Sequence, residues 1–298
     1  MIKRSHVRQF LAVVDAGSFT RAAQQIRVTQ PALSTGVADL ERLVGAPLFI
    51  RNRRQIRLTE AGGRFLPIAR DLERGFRAAD SFGRAAESDK PVLKLGTIRS
   101  VPGELFQNVA GLLSRDFALE ISENSDSELR AAIHAGRLNI AMLPLRSGER
   151  DPNVVTLYEE PMVMFVAADH PLAGQGEVSP EELAPETMIA RRSCEFLDAT
   201  SRFFTRHRVR PRFALRSDND DRCLRMVAAG VGITTAPASL AIDGIVPIKV
   251  SGYDFRRELG LLIDPAWLAQ PGTEQRISRA LPALRRAGVD WQDARVDG

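Results

Sequence analysis

"AAQQIRVTQPALS", residues 22–34, sets two helix-forming patterns on either side of a very short corner. Ala22, Ala23 and Ile26 fall on one helical face with Phe19, and Ser18 stands where a side-chain oxygen caps a first turn. Arg27 and Val28 make the corner. Thr29 is then a second N-cap, and Pro31 lies in the next first turn, where a missing N–H costs little. The second helix is predicted to run to about Leu43, with Leu33, Val37 and Leu40 spaced i, i+4, i+7 on its buried side. Helix, tight corner and capped helix describe a helix-turn-helix, which presents its second helix to the major groove of DNA. A plain pair of helices with one polar face is the alternative. The proline here starts a helix; it does not break one.

On that second helix Pro31, Ser34, Thr35, Ala38 and Arg42 point outward, with Gln30 at the N-terminal edge. Small and hydroxylated side chains allow close approach to a duplex, and helix N-terminal amides suit phosphates. Gln30 is the residue chemically suited to an adenine edge. Ser18, Thr20 and Thr29, at the two helix starts, complete this candidate set. Downstream, "LFIRNRRQIRLT" (48–59) reads as strand, turn and strand. Arg51, Arg53, Arg54 and Arg57 make it a basic hairpin wing suited to backbone or minor-groove contact.

"GSFTRAA", "VTQPALS", "LERLVGAPLF" and "RLTEAG" closely resemble the DNA-binding domain of LysR-type transcriptional regulators. The match covers about the first 65 residues, and a weaker resemblance runs on to about 265. Gln30, Pro31 and Ser34 match the family's DNA-contact positions. Thr35, Gly36 and Asp39 depart from it, standing where members often carry larger or basic polar side chains. Gly36 should also cost its helix roughly 1 kcal/mol relative to alanine.

Charge divides the chain in the same way. Residues 1–90 hold 16 Lys+Arg against 9 Asp+Glu, net +7, whereas residues 91–298 are net −3. Nearly all the early positive charge is arginine, whose forked donors suit phosphate. A basic first third joined to a slightly acidic remainder points to a polyanion partner for one part only. A solvated surface is the bland alternative. No apolar run approaches the roughly 20 residues of a membrane span. The apolar stretch after the basic start stops at Asp15, so a signal peptide is not expected and the protein is expected in the cytoplasm.

Thr59 caps a predicted long helix reaching about Glu87. Phe65, Ala69, Leu72, Phe76 and Ala79 follow one another at heptad spacing, a seam that needs a partner helix, while Pro67 should bend the helix near its start. Packing against the chain's own C-terminal part is the alternative. The resemblance implies an antiparallel pair of linker helices, hence a homo-oligomer, dimer or tetramer, reading two half-sites. "ESDKP" (87–91) is a plausible hinge.

From "VLKLGTI" (92–98) short β-rich runs alternate with helices, which implies α/β units around a parallel sheet. Strands are expected at 92–98, 117–122, 138–143, 162–168, 187–192, 212–217, 232–237 and 257–263. Helices are expected at 103–114, 126–135, 196–207, 219–229 and 273–287. The whole is an α+β multidomain chain. It has a winged helix-turn-helix (1–58), a linker helix and hinge (59–90) and a two-lobed effector domain (91–298). Lobe I is expected at about 91–163 and 264–290 and lobe II at about 164–263, with crossings near 161–166 and 263–267. By resemblance the effector domain is similar to periplasmic ligand-binding proteins.

In such a fold ligands sit where strand ends meet helix N-termini. Ser100, Ser125, Cys194 and Thr234 are the candidate cleft-lining residues, and Arg146 or Arg192 would face a ligand carboxylate. For each, a cap or turn role is the alternative. The implied effector is a small molecule, an organic acid. Asp218, Asp220 and Asp221 read as helix caps, not as an acidic catalytic cluster. Cys194 falls where redox-responsive members carry their peroxide-sensing cysteine, and Arg191, Arg192 and a helix N-terminus would lower its pKa. A thiol-sensing regulator is therefore one alternative. An α/β ligand-binding protein or enzyme with an assembly-only N-terminal domain is another. His6, His134, His170 and His207 are scattered, no nucleotide or hydrolase motif occurs, and neither enzymatic activity, cofactor nor metal is expected.

Overall fold

The computed structural model describes residues 1–52, 55–81, 90–146, 148, 149 and 151–296. Two compact units emerge: Met1–Pro91 with His134–Arg137, and the remainder of the chain from Val92.

The first unit opens with α1 (Arg4–Ala16), which the sequence patterns above do not announce, followed by α2 (Phe19–Gln25) and α3 (Gln30–Val44). A hairpin, β1 (Phe49–Asn52) antiparallel to β2 (Gln55–Leu58), leads into α4 (Glu60–Ser81). One core joins these pieces: Val7, Phe10 and Val13 from α1, Ala22 from α2, and Leu33, Val37 and Leu40 from α3 are all completely buried. Phe10 is its centre, with ring centroids 5.2 Å from both Phe49 and Phe65. Such ring pairs add about 0.5–1.5 kcal/mol each beyond their buried area. This is a winged helix-turn-helix.

The corner between α2 and α3 has a definite chemistry. Arg27 adopts φ 57°, in the left-handed region that favours glycine. Its N–H donates to Gln24 O and the Val28 N–H donates to Ala23 O, so two orphan carbonyls of α2 are satisfied in a Schellman motif. The Ser18 and Thr29 side chains accept from Arg21 N and Ala32 N, as expected of N-caps.

The start of α4 has a different role from the one its heptad spacing implies. Phe65 and Ala69 do not belong to an oligomer seam: they are buried in the unit's own core. The reason is the junction with the wing. Thr59 Oγ1 donates to Pro47 O at 2.6 Å and accepts from Gly62 N at 2.9 Å, clamping the helix start onto the hairpin. A Cβ on Gly62 would stand 2.1 Å from Leu48 O, so only glycine permits this approach. Beyond it Ile68, Leu72, Phe76 and Ala79 are exposed. The helix passes through Pro67, and its expected continuation to Glu87 lies outside the described residues.

The second unit runs β3 (Val92–Thr97), α5 (Gly103–Leu113), β4 (Ala118–Glu123), α6 (Asp126–His134), β5 (Ile140–Pro144) and β6 (Val154–Ala167). After β7 (Glu177–Val178) come β8 (Thr187–Arg191), α7 (Leu197–Arg206), β9 (Arg212–Ser217) and α8 (Asp220–Ala228). The chain ends with β10 (Thr234–Pro237), β11 (Ile245–Val250), β12 (Arg256–Ile263), α9 (Pro265–Leu268) and α10 (Thr273–Val296), the last longer than expected. The sheet is mixed, not simply parallel. β4, β3 and β5 are parallel, but β12 runs antiparallel to both β5 and β6.

β6 is the spine of this unit. Its first half, to Pro161, pairs with β12, and its second half, from Met162, pairs with β10 and β11. It therefore passes from lobe I to lobe II without a break. The return crossing falls just before Arg256, not near 263–267, so β12 belongs to lobe I. Each lobe has its own core: Leu95, Leu105, Val109, Ile140 and Leu261 in the first, Met164, Val166, Phe203 and Ile233 in the second.

Candidate functional site

Two regions gather the candidate residues, one in each unit. In the first, α3 is held by its buried stripe and turns its other side to solvent. Gln30, Pro31, Thr35, Ala38 and Arg42 are exposed and Ser34 is half-buried. Gln30 Nε2 donates to Ser34 Oγ at 2.9 Å, and Arg42 pairs with Asp39 at 3.0 Å one turn back. Thr20 and Thr29 are also exposed, and Ser18 is half-buried. Gly36 has a clear reason to be glycine: a Cβ there would lie 1.8 Å from Gln9 Oε1, so the gap lets α1 pack its glutamine against α3. Glu41 Oε1 accepts from both Leu48 N (2.7 Å) and Phe49 N (3.2 Å), which fixes the wing to the end of α3. Arg51 is on the first wing strand; the side chain of Arg51, and Arg53 and Arg54 entirely, lie outside the described residues.

The second region is the junction of the lobes, where the structure places charge that sequence reasoning missed. Arg257 is 3% exposed and holds four acceptors. Its Nε donates to Glu160 Oε1, its Nη1 to Ser100 Oγ and Glu195 Oε1, and its Nη2 to Ser100 O, all at 2.7–2.8 Å. Glu160 also accepts from Tyr158 OH and from Ser239 N and Oγ. One cluster, buried except at Glu195 on its edge, therefore joins lobe I (Ser100), both crossing strands, and lobe II (Glu195, Ser239). Burial works against the Arg257 charge, but Glu160 and Glu195 overcome it and raise its pKa; burial beside Glu160 likewise raises that of Tyr158.

Nearby, Arg99 of lobe I reaches Glu123 at 3.2 Å and Asp218 of lobe II at 2.8 Å. The Arg99 guanidinium hydrogen-bonds the Asp218 carboxylate and holds its pKa below the ordinary range. These three residues, with Asn219 to Arg222, line a polar cavity of about 530 Å3 between the lobes. A further pair closes lobe II from inside: Arg191 grips Asp220 through Nε (2.8 Å) and Nη2 (2.7 Å), and its Nη1 donates to Thr235 O. Asp218, Asp220 and Asp221 are thus ion-pair partners, not caps; Asn219 is the cap, accepting from Arg222 N.

The sequence candidates are distributed unevenly around this junction. Ser100 is buried and satisfied by Arg257. Ser125 caps α6 through Glu128, whose pKa it lowers by hydrogen bonding. Arg146 is exposed and lies 3.7 Å from Asp126. Arg192 is exposed next to the Asp218 field. Thr234 is buried and donates to Ile189 O at 2.7 Å. Cys194 is buried in the lobe II core, where burial pushes its thiol up, against the lowering that the redox-sensing alternative needs, because desolvation outweighs Arg191. Cys223 is packed in a separate cluster of lobe II. No composition or spacing signal could have revealed Arg257 or Glu160, whose partners are up to 157 residues away in the chain.

Comparison with known proteins agrees with this division. Residues 5–63 match the bacterial regulatory helix-turn-helix protein, lysR family, and residues 86–285 match the LysR substrate binding domain. The chain is 28% identical over 240 residues to the Hca operon transcriptional activator HcaR of Escherichia coli K12, covering 78% of this chain and 80% of that protein. It is 30% identical over 282 residues to the HTH-type transcriptional regulator TtuA of Agrobacterium vitis, covering 89% and 92%. A full-length cysteine-to-aspartate variant of OxyR from Pseudomonas aeruginosa shares the fold, with a TM-score of 0.55 at 23% identity over 97% of this chain and 95% of that one. An exposed, capped recognition helix and a two-lobed α/β domain thus meet in one chain: it belongs to the LysR-type transcriptional regulators, a non-enzymatic family of DNA-binding proteins with an effector-binding domain.

Proposed function

We propose that the protein is a homo-oligomeric, sequence-specific regulator whose DNA binding or promoter activation is set by a small anionic metabolite held between the lobes. The exposed outer face of α3 is the observation that carries the first half of this reading. Ser34, Thr35 and Ala38 leave room for base edges, Gln30 and Arg42 flank them, and Ser18, Thr20, Thr29 and the wing arginines Arg51, Arg53 and Arg54 contact backbone. The apolar stripe Ile68, Leu72, Phe76 and Ala79 supports helix-to-helix association, which brings two reading helices onto two half-sites. A regulator of this kind works where the DNA is, in the cytoplasm.

For the effector, the polar inter-lobe cavity offers Arg99 and Arg222 to an organic acid, whose carboxylate would take the place of Glu123 or Asp218 on Arg99, since the other charged walls are carboxylates. Such a ligand acts only through its preference for one lobe closure over another; equal affinity for both shifts nothing. The thiol-sensing alternative finds no support in a buried thiol of raised pKa.

Selection from random duplexes with the full-length protein tests the first half. An imperfect palindrome should be enriched, with affinity falling steeply as salt rises. Recovery of no motif, or affinity indifferent to salt, refutes DNA reading by this face. A thermal-shift screen of small organic acids on the full chain tests the second half, with Arg99→Gln expected to abolish any stabilisation that depends on the cleft.

A further inference from the structure

Lobe II contains a second cavity, distinct from the polar space between the lobes. It measures about 270 Å3 and lies between α7 and the β8–β9 pair. Met188, Leu197, Phe204, Val209 and Phe213 are among its walls, with Arg210 at the rim. Its existence follows from how α7 is anchored. Phe203 turns the other way, into an aromatic cluster with Tyr253 at 5.1 Å, and Thr200 bonds the Tyr253 hydroxyl at 2.6 Å. The helix is pinned through those contacts, and its Leu197, Ser201, Phe204 and Thr205 face lines the space without filling it.

The chemistry of the walls selects an occupant. Leu197 and Phe213 remain 39% and 41% exposed and give the cavity an apolar mouth. The cavity is about twice the ~150 Å3 that accommodates a benzene ring in an engineered apolar site. No aspartate or glutamate is among the lining residues, whose charged members are Arg191 and Arg210. Arg191 is consumed by Asp220, whereas Arg210 is exposed and makes no ion pair among the described residues. Arg216 stacks on the Phe213 ring at 4.3 Å and adds a second cation beside the mouth. An apolar chamber with a cationic rim and no anion matches a compact hydrophobic body bearing one carboxylate.

We propose that lobe II holds a binding site of its own for a small monocarboxylate with a single-ring apolar body, the ring under α7 and the carboxylate at Arg210. This site is separate from the inter-lobe cavity and stands or falls independently of the effector reading given above. Neutral Cys194 forms part of its inner wall and needs no thiol chemistry there.

Calorimetric titration of the full-length protein tests it with phenylacetate, with acetate (charge without body) and with benzyl alcohol (body without charge). Phenylacetate should bind saturably and at least tenfold more tightly than either control. Arg210→Gln, an exposed change that leaves the fold intact, should reduce phenylacetate affinity about tenfold and leave benzyl alcohol unchanged. Ser201→Trp, which fills the chamber from the exposed helix, should abolish both; equal melting temperatures verify that this variant folds. Arg99→Gln in the inter-lobe cavity should leave phenylacetate binding as in the wild type. Absence of saturable phenylacetate binding, indifference to Arg210→Gln, or loss on Arg99→Gln overturns the proposal.

Discussion

The outer face of α3 and the junction of the lobes handle polarity in opposite ways. On α3 the polar groups are short, exposed and satisfied locally, as in the Gln30–Ser34 bond, so they can exchange these partners for a duplex at little cost. At the junction the polar groups are long, buried and bonded to partners far away in the chain, so exchange leaves a bare charge in a low-dielectric interior. One surface is built to be used up by a partner. The other is built to hold its own parts in register.

The largest test of this contrast is Asp220→Ala, which strands the Arg191 guanidinium, 1% exposed, without its carboxylate. Removing one member of such a buried pair costs about 3–5 kcal/mol. Both tryptophans of the chain, at 267 and 291, lie in the second unit, so urea titration followed by tryptophan fluorescence reads its stability alone. An unchanged midpoint would show that the pair is not a structural clamp. Next comes Gly62→Ala, whose Cβ meets Leu48 O. Overpacking of this kind costs about 1–3 kcal/mol. It should lower DNA affinity and helical content on mild heating while leaving the tryptophan-detected midpoint in place; a parallel loss in both signals would contradict independent cores.

A smaller effect of opposite sign is expected at Arg27. Glycine adopts the left-handed conformation without the Cβ penalty, so Arg27→Gly should raise the stability of the first unit by up to about 1 kcal/mol. A fall in its melting temperature would mean that the arginine side chain contributes more than the corner costs. The smallest effect concerns Cys194. Its folded pKa is raised by burial, so its contribution to stability is complete below the ordinary thiol value of about 8.5 and is lost as pH rises through the folded value. Iodoacetamide should label it slowly at pH 7 compared with a free thiol. Rapid labelling would restore the thiol-sensing reading.

The same contrast explains what is legible in the sequence. The caps at Ser18 and Thr29, the stripe of Leu33, Val37 and Leu40, and the Thr59 helix start act within a few residues, and the structure reproduces them closely. Only the second half of β6 shows in the sequence, because "EEP" (159–161) looks like the end of a strand. Glu160 stays buried there only because Arg257, 97 residues later, neutralises it. β11 escapes sequence reading for a related reason, since Pro247 breaks its pattern. Heptad spacing in α4 is real, but spacing alone does not say whether Phe65 and Ala69 face a second chain or Phe10. In the candidate sites, side chains on one helix can be identified directly. The arginine clusters cannot, because tertiary pairing is what makes them.

An unbroken β6 bonded through Glu160 to Arg257 gives the two lobes a fulcrum. Ser239 and Glu195 cannot swing away from it without baring a charge, so any opening must leave this point nearly still and grow with distance along the lever arm. Arg99, next in the chain to the fulcrum's Ser100, meets Asp218 on the surface, so this exposed bridge sits close to the pivot and adds little restraint to it.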